Sequence, residues 1–151
     1  MEAGRELDAL VAVSVMGWHK RERISGPDSV FALGTKMERW YAPNGREGAV
    51  RGTNSEGVVF TNEGLEPDGI SAPHPLIGGL PWYSTDIAAA WQVVEKVRTQ
   101  GHFVEIDCLR EQYEVYIDTN PAHTDEPSAY APTAQHAICL AALKAVGVEV
   151  E

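Results

Sequence analysis

Cysteine is scarce in this chain. Its 151 residues hold only two, Cys108 and Cys139, in a candidate strand and a candidate helix. That is too few for a disulfide framework and has no metal-ligand spacing, so both read as reduced, buried thiols of a cytosolic protein. Long apolar runs are absent too: none approaches the ~20 residues needed to span a bilayer. The start, Met1-Glu2-Ala3-Gly4-Arg5-Glu6, lacks the basic region and apolar core of a signal peptide. Basic residues are outnumbered, 12 against 22 acids, for a net charge of −10. This argues against a binder of nucleic-acid polymers or of membrane surfaces, which carry a basic footprint. Catalytic patterns are missing as well. The five histidines, His19, His74, His102, His123 and His136, show no metal-helix spacing, and there is no nucleophile elbow or phosphate-binding glycine loop. The sequence therefore predicts no catalytic residues, no metal and no cofactor.

What is present fits one globular domain spanning residues 1–151. The apolar fraction of 44% is ordinary for a folded protein. Three helices are expected. The first runs from Arg5 to Met16, with Leu7, Leu10, Val11 and Val15 on one face and Gly17 as its stop. The second runs from Ser84 to Thr99. Pro81 precedes it, Ser84, Thr85 and Asp86 are capping residues, and Gly101 ends it. Its apolar face is read as Ile87, Ala90, Trp91, Val94 and Val97, with Trp91 in the core. The third runs from Pro132, placed in the first helical turn, to Val146. Its stripe is Ile138, Cys139, Ala142, Leu143 and Val146, and Gly147 ends it. Between the second and third helices, 102–107 and 112–117 alternate as a hairpin joined by Leu109, Arg110 and Glu111. Residues 120–130 read as a loop.

The stretch from His19 to Pro81 holds ten of the 14 glycines and six of the nine prolines. Strand candidates are Trp18–Ile24, Val30–Leu33, Glu38–Tyr41 and Gly57–Thr61, with Asn44-Gly45 as a turn. Residues 62–80 read as a long irregular loop. The order helix, strands, helix, hairpin, helix predicts an α+β fold. An antiparallel sheet is covered by about three helices, with a long Gly/Pro-rich loop region.

Charge is not evenly spread. Seven of the 12 basic residues, Lys20, Arg21, Arg23, Lys36, Arg39, Arg46 and Arg51, share one stretch with only four acids. A small anionic ligand could meet a local positive site there. Aromatics interleave with this stretch: Arg39-Trp40-Tyr41 in one candidate strand, and Trp82-Tyr83 at the mouth of the second helix. A flat ring beside a guanidinium suits a nucleobase and its phosphates. The candidate ligand-binding set is Arg39, Trp40, Arg46, Arg51, Trp82 and Tyr83.

Three segments together resemble the phage α-β-α sandwich domain family. They are Gly4-Arg5-Glu6-Leu7-Asp8-Ala9-Leu10-Val11-Ala12 continuing to Trp18, Tyr83-Ser84-Thr85-Asp86-Ile87-Ala88-Ala89-Ala90-Trp91 continuing to Lys96, and Ala137 to Ala145. The family is in turn similar to phage anti-Thoeris sponge proteins, which hold a cyclic ADP-ribose isomer without cleaving it. The resemblance implies a phage anti-defence protein in the host bacterial cytoplasm. It would sequester a cyclic nucleotide immune signal, either a cyclic ADP-ribose isomer or a cyclic oligonucleotide, between the subunits of a homo-oligomer, at least a dimer. The alternatives are a hydrolase of such a signal and a phage accessory protein that binds a host protein.

Overall fold

The computed structural model describes residues 1–24, 36–41, 43, 47–53, 59–61, 64–66, 80–120 and 126–151. In chain order its elements are α1 (Arg5–Ser14), β1 (His19–Ile24), β2 (Lys36–Tyr41), β3 (Glu47–Thr53), β4 (Val59–Thr61), β5 (Gly64–Glu66), α2 (Ile87–Thr99), β6 (Phe103–Cys108), β7 (Tyr113–Asp118), β8 (Ala129–Ala131) and α3 (Ala134–Ala145). The fold is α+β. The chain forms two compact units, one of Met1–Gly17 with Trp82–Glu151, the other of Trp18–Pro81. Among the described residues, no helix is long and apolar enough to cross a membrane.

The first unit is built around α3, which packs on α1, α2, β7 and β8. Six of its residues are buried: Ala137, Ile138, Cys139, Ala141, Ala142 and Leu143. The alanines let neighbouring backbones approach closely, while Ile138 and Leu143 fill the remaining space. α1 contributes Leu7, Val11 and Ala12, and α2 contributes Ala89, Ala90, Val93, Val94 and Val97. The sheet order is β6-β7-β8, all antiparallel. Its helix-facing side carries Val115, Ile117 and Ala131, all buried. The expected glycine stops hold: Gly17, Gly101 and Gly147 have φ of 78°, 92° and 82°. Behind two of them the chain folds back on the helix. The His102 N–H donates to the Val97 carbonyl at 3.2 Å and the Val148 N–H to that of Leu143 at 2.9 Å, the bond pattern of a left-handed helix stop.

Several expectations are corrected. Trp91 and Ile87 are 52% and 50% exposed rather than core. The helix is turned so that Ala89, Ala90 and Val93 point inward, because small side chains fit the close approach to α3 and an indole does not. Cys108 is exposed, since it ends β6 beside the hairpin turn. Pro132 lies outside α3, which is capped by Thr133, its side chain accepting from the His136 N–H at 3.4 Å. Within the expected 120–130 loop lies the start of β8, whose three residues are too few to show alternation. Ser84 is not a cap: the α2 cap is Asp86, whose carboxylate accepts the Ala88 N–H at 2.9 Å.

The second unit holds a five-stranded antiparallel sheet in the order β1-β2-β3-β4-β5. β3 and β5 escape the alternation test because Gly48 and Gly52 interrupt the first and the second is three residues long. The Val30–Leu33 candidate, the Asn44-Gly45 turn, Arg46, and all of 62–80 except β5 and Leu80 lie outside the described residues.

These burials set a contrast in stability. Leu7→Ala, at a fully buried position, is expected to cost about 2–5 kcal/mol. Trp91→Ala is expected to stay within about 0.5 kcal/mol of the parent. Urea titration followed by circular dichroism measures both.

Candidate ligand-binding site

Two constellations stand out, one in each unit. The first joins the start of α1 to the turn before α2. Asp8 is fully buried although it is charged, and Ser84 is 1% exposed. One Asp8 oxygen, Oδ1, accepts both the Ser84 backbone N–H and the Ser84 hydroxyl, each at 2.7 Å. The other, Oδ2, accepts from Arg5 Nη1 at 2.9 Å. The Gly4 N–H donates to Ser84 Oγ at 2.9 Å. Gly4 itself sits at φ 147°, a conformation that a side chain would strain. A buried charge survives only when its lone pairs are filled, and here both oxygens are. The Arg5 guanidinium also lies over the Trp82 ring, 5.6 Å from its centroid. Trp82 is half-buried, whereas Tyr83 is 1% exposed, so its ring offers no open face.

Asp8 was legible in principle. It lies in phase with Val11, Ala12 and Val15 on the buried stripe of α1, and a carboxylate on an apolar stripe signals a buried polar partner. Burial and the Asp8 carboxylate together push the Cys139 thiol well above its ordinary value.

The second constellation follows from strand register. β1 and β2 pair His19↔Tyr41, Arg21↔Arg39 and Arg23↔Met37. Directly paired residues share a face, and successive residues alternate. One face therefore carries His19, Arg21, Arg23, Met37, Arg39 and Tyr41. Across β3 to β5 the same face adds Val50, Phe60 and Leu65, with Glu47 opposite Tyr41. The His19 and Tyr41 rings stack at 5.4 Å with 11° between their planes. The opposite face carries Lys20, Lys36 and Arg51 with Glu22, Glu38 and Glu66, so its charges balance. Among the described residues the surplus positive charge of the basic stretch is thus sorted onto one face, three arginines against one glutamate.

Register also divides the expected site residues. Arg39 is on the arginine face. Trp40, its neighbour in β2, is on the balanced face with Arg51. Arg46 lies outside the described residues, and Trp82 and Tyr83 belong to the other unit. The aromatic pair that shares the arginine face is His19 with Tyr41, which pattern reading passed over because it is a cross-strand pair. Among the described residues, no group of three His, Cys, Asp or Glu side chains converges on a metal position.

Residues 66–143 match the family model described as Phage ABA sandwich domain, just over half of the chain. The chain belongs to the phage ABA sandwich domain family. In this phage ABA sandwich protein the matched span holds α2, the three-stranded sheet and most of α3. The helix α1, strands β1 to β4 and all of β5 but Glu66 fall outside it, and so does the whole arginine face. Neither a curated protein nor a solved structure matches the chain.

Two measurements follow. Ser84→Ala removes a hydrogen bond to a buried carboxylate, so a loss of about 1.5–3 kcal/mol is expected. In a double-mutant cycle with Asp8→Ala, the coupling between the two sites is expected to exceed about 1 kcal/mol. Ellman's reagent is expected to titrate one thiol of the native protein and two after denaturation, and Cys108→Ser is expected to remove the native reaction.

Proposed function

We propose that this phage ABA sandwich protein is an anti-defence sponge. It binds a cyclic nucleotide immune signal, a cyclic ADP-ribose isomer or a cyclic oligonucleotide, and holds it intact in the host cytoplasm. The observation that carries the reading is the arginine face of the β1–β5 sheet. Arg21 and Arg39 are directly opposed in register, and like charges in that position repel. A bound anion offsets that cost. Guanidinium groups match phosphate oxygens in charge and in geometry, and the neighbouring His19–Tyr41 stack suits a nucleobase. By register, Met37, Val50 and Phe60 are placed on the same face. A sheet face is open on one side, so a second wall is needed to grip a small ligand. A second subunit of a homo-oligomer would supply it.

Calorimetric titration with a cyclic ADP-ribose isomer and with a cyclic dinucleotide tests the site. Arg21→Ala and Arg39→Ala are each expected to weaken binding by roughly 1.5–3 kcal/mol, about tenfold or more in Kd. Arg51→Ala, on the balanced face, is expected to weaken it by less than threefold. Mass spectrometry of the protein purified from cells with an active nucleotide-signalling defence, then heat-denatured, tests the outcome for the ligand. An intact cyclic nucleotide is expected. A linearised product accumulating with time would instead identify a hydrolase, and absence of binding to either probe would overturn the reading.

A further inference from the structure

The family-matched unit has a second surface, unrelated to the arginine face. Strand β8 pairs with β7 and ends the three-stranded sheet. The direction of its backbone groups can be derived. At the β6–β7 turn, the Leu109 N–H donates to the Gln112 carbonyl at 2.9 Å. In an antiparallel ladder, bonded pairs alternate with non-bonded ones. Glu114 therefore bonds toward β6, while Tyr113, Val115 and Ile117 turn their backbone groups toward β8. The Ile117 N–H confirms this direction by donating to Ser128 Oγ at 2.9 Å. Their partners Ala131 and Ala129 thus bond back to β7. Tyr130, between them, directs its N–H and C=O to the far edge of β8, with which no further strand pairs among the described residues.

A cavity of about 660 Å³ runs beside that edge. β8 forms one side, Leu140 and Lys144 of α3 contribute to its lining, and Val148 and Val150 line another part. Its volume is ordinary for a ligand site. The Tyr130 side chain, 64% exposed, lies on the sheet face away from α3. On that face Tyr130 is directly opposite Glu114, which is itself opposite Asp107. Tyr116 is on the same face. Partial burial and the carboxylates of Glu114, Asp107 and Glu105 raise its phenol above the ordinary value. Glu149 also lines the cavity.

We propose that the open edge of β8 docks an extended, basic segment of another protein as a fourth antiparallel strand. Tyr130 supplies the backbone pair. Alternate side chains of the incoming strand then have opposite environments. One set points into the cavity toward Leu140, Val148 and Val150 and is apolar. The other set lies beside Tyr130 and Glu114 and is lysine or arginine. A second copy of this chain fits less well, because symmetric β8–β8 pairing would bring the Glu114 and Glu149 carboxylates of the two copies together.

The probe is the fluorescein-labelled, amidated heptapeptide Val-Lys-Val-Lys-Val-Lys-Val, titrated against the full chain by anisotropy. Saturable binding is expected, together with slower hydrogen exchange at the Tyr130 amide. Tyr130→Pro deletes the edge N–H but leaves the bonds of Ala129 and Ala131 in place, a position where an edge strand tolerates proline. Its affinity is expected to fall at least tenfold with an unchanged circular dichroism spectrum. Tyr130→Val keeps the N–H and is expected to lose less than threefold. The same peptide with glutamate for lysine is expected not to bind. Three results would each overturn the proposal: no binding of the lysine peptide, equal binding by Tyr130→Pro, or a Tyr130 amide already protected without peptide in proportion to protein concentration. The last would assign the edge to a second copy.

Discussion

The buried Asp8–Ser84 bond is the constraint on which the first unit depends. It joins positions 76 residues apart, one at the start of α1 and one at the turn that leads into α2. The chain leaves this unit after Gly17 and returns to it at Trp82, so the bond closes the unit across everything carried between. Closing a long loop is less costly than intuition suggests, because each doubling of length adds only about 0.6 kcal/mol. A charged group buried with both oxygens satisfied supplies direction as well as energy. Ser84 must present its N–H and its hydroxyl to the same carboxylate oxygen, which fixes the angle at which the chain enters α2. Gly4 completes the arrangement by lending its N–H to the Ser84 hydroxyl.

Behind that bond, packing is governed by small residues. α3 buries three alanines and a cysteine beside Ile138 and Leu143, and it touches two helices and two strands. A helix in contact on so many sides cannot carry a narrow apolar stripe. Close approach then selects which face of α2 turns inward. Ala89, Ala90 and Val93 fit, and Trp91 is turned to solvent. The same crowding buries Cys139 next to Asp8 and keeps its thiol protonated, whereas Cys108 at the hairpin end stays exposed.

The two units carry different chemistry. The family-matched unit offers a strand edge bordered by carboxylates. The other unit offers arginines and an aromatic stack on one face of a sheet. The arginine face is the basis of the function proposed above: guanidinium contacts to an anion are short-range and operate within about a Debye length even on a chain of net charge −10.

Much of the architecture was readable from the residues themselves. Helical periodicity, the Asp86 cap and the glycine stops at 17, 101 and 147 are local effects, decided within a few residues by hydrogen bonding and backbone sterics. The hairpin of β6 and β7 was readable because its strands alternate over six residues each. The three-residue strands β5 and β8 were not, since so short a run has no measurable period. Composition alone also showed that positive charge concentrates between residues 20 and 51. Its distribution over two faces was a matter of register: Arg39 and Trp40 are neighbours in sequence and opposites in space, while Arg21 and Arg39 are distant in sequence and directly paired. The burial of Asp8 and the exposure of Trp91 were likewise decided by tertiary structure, because each depends on what a distant segment brings alongside, a Ser84 hydroxyl in one case and an alanine-lined helix in the other.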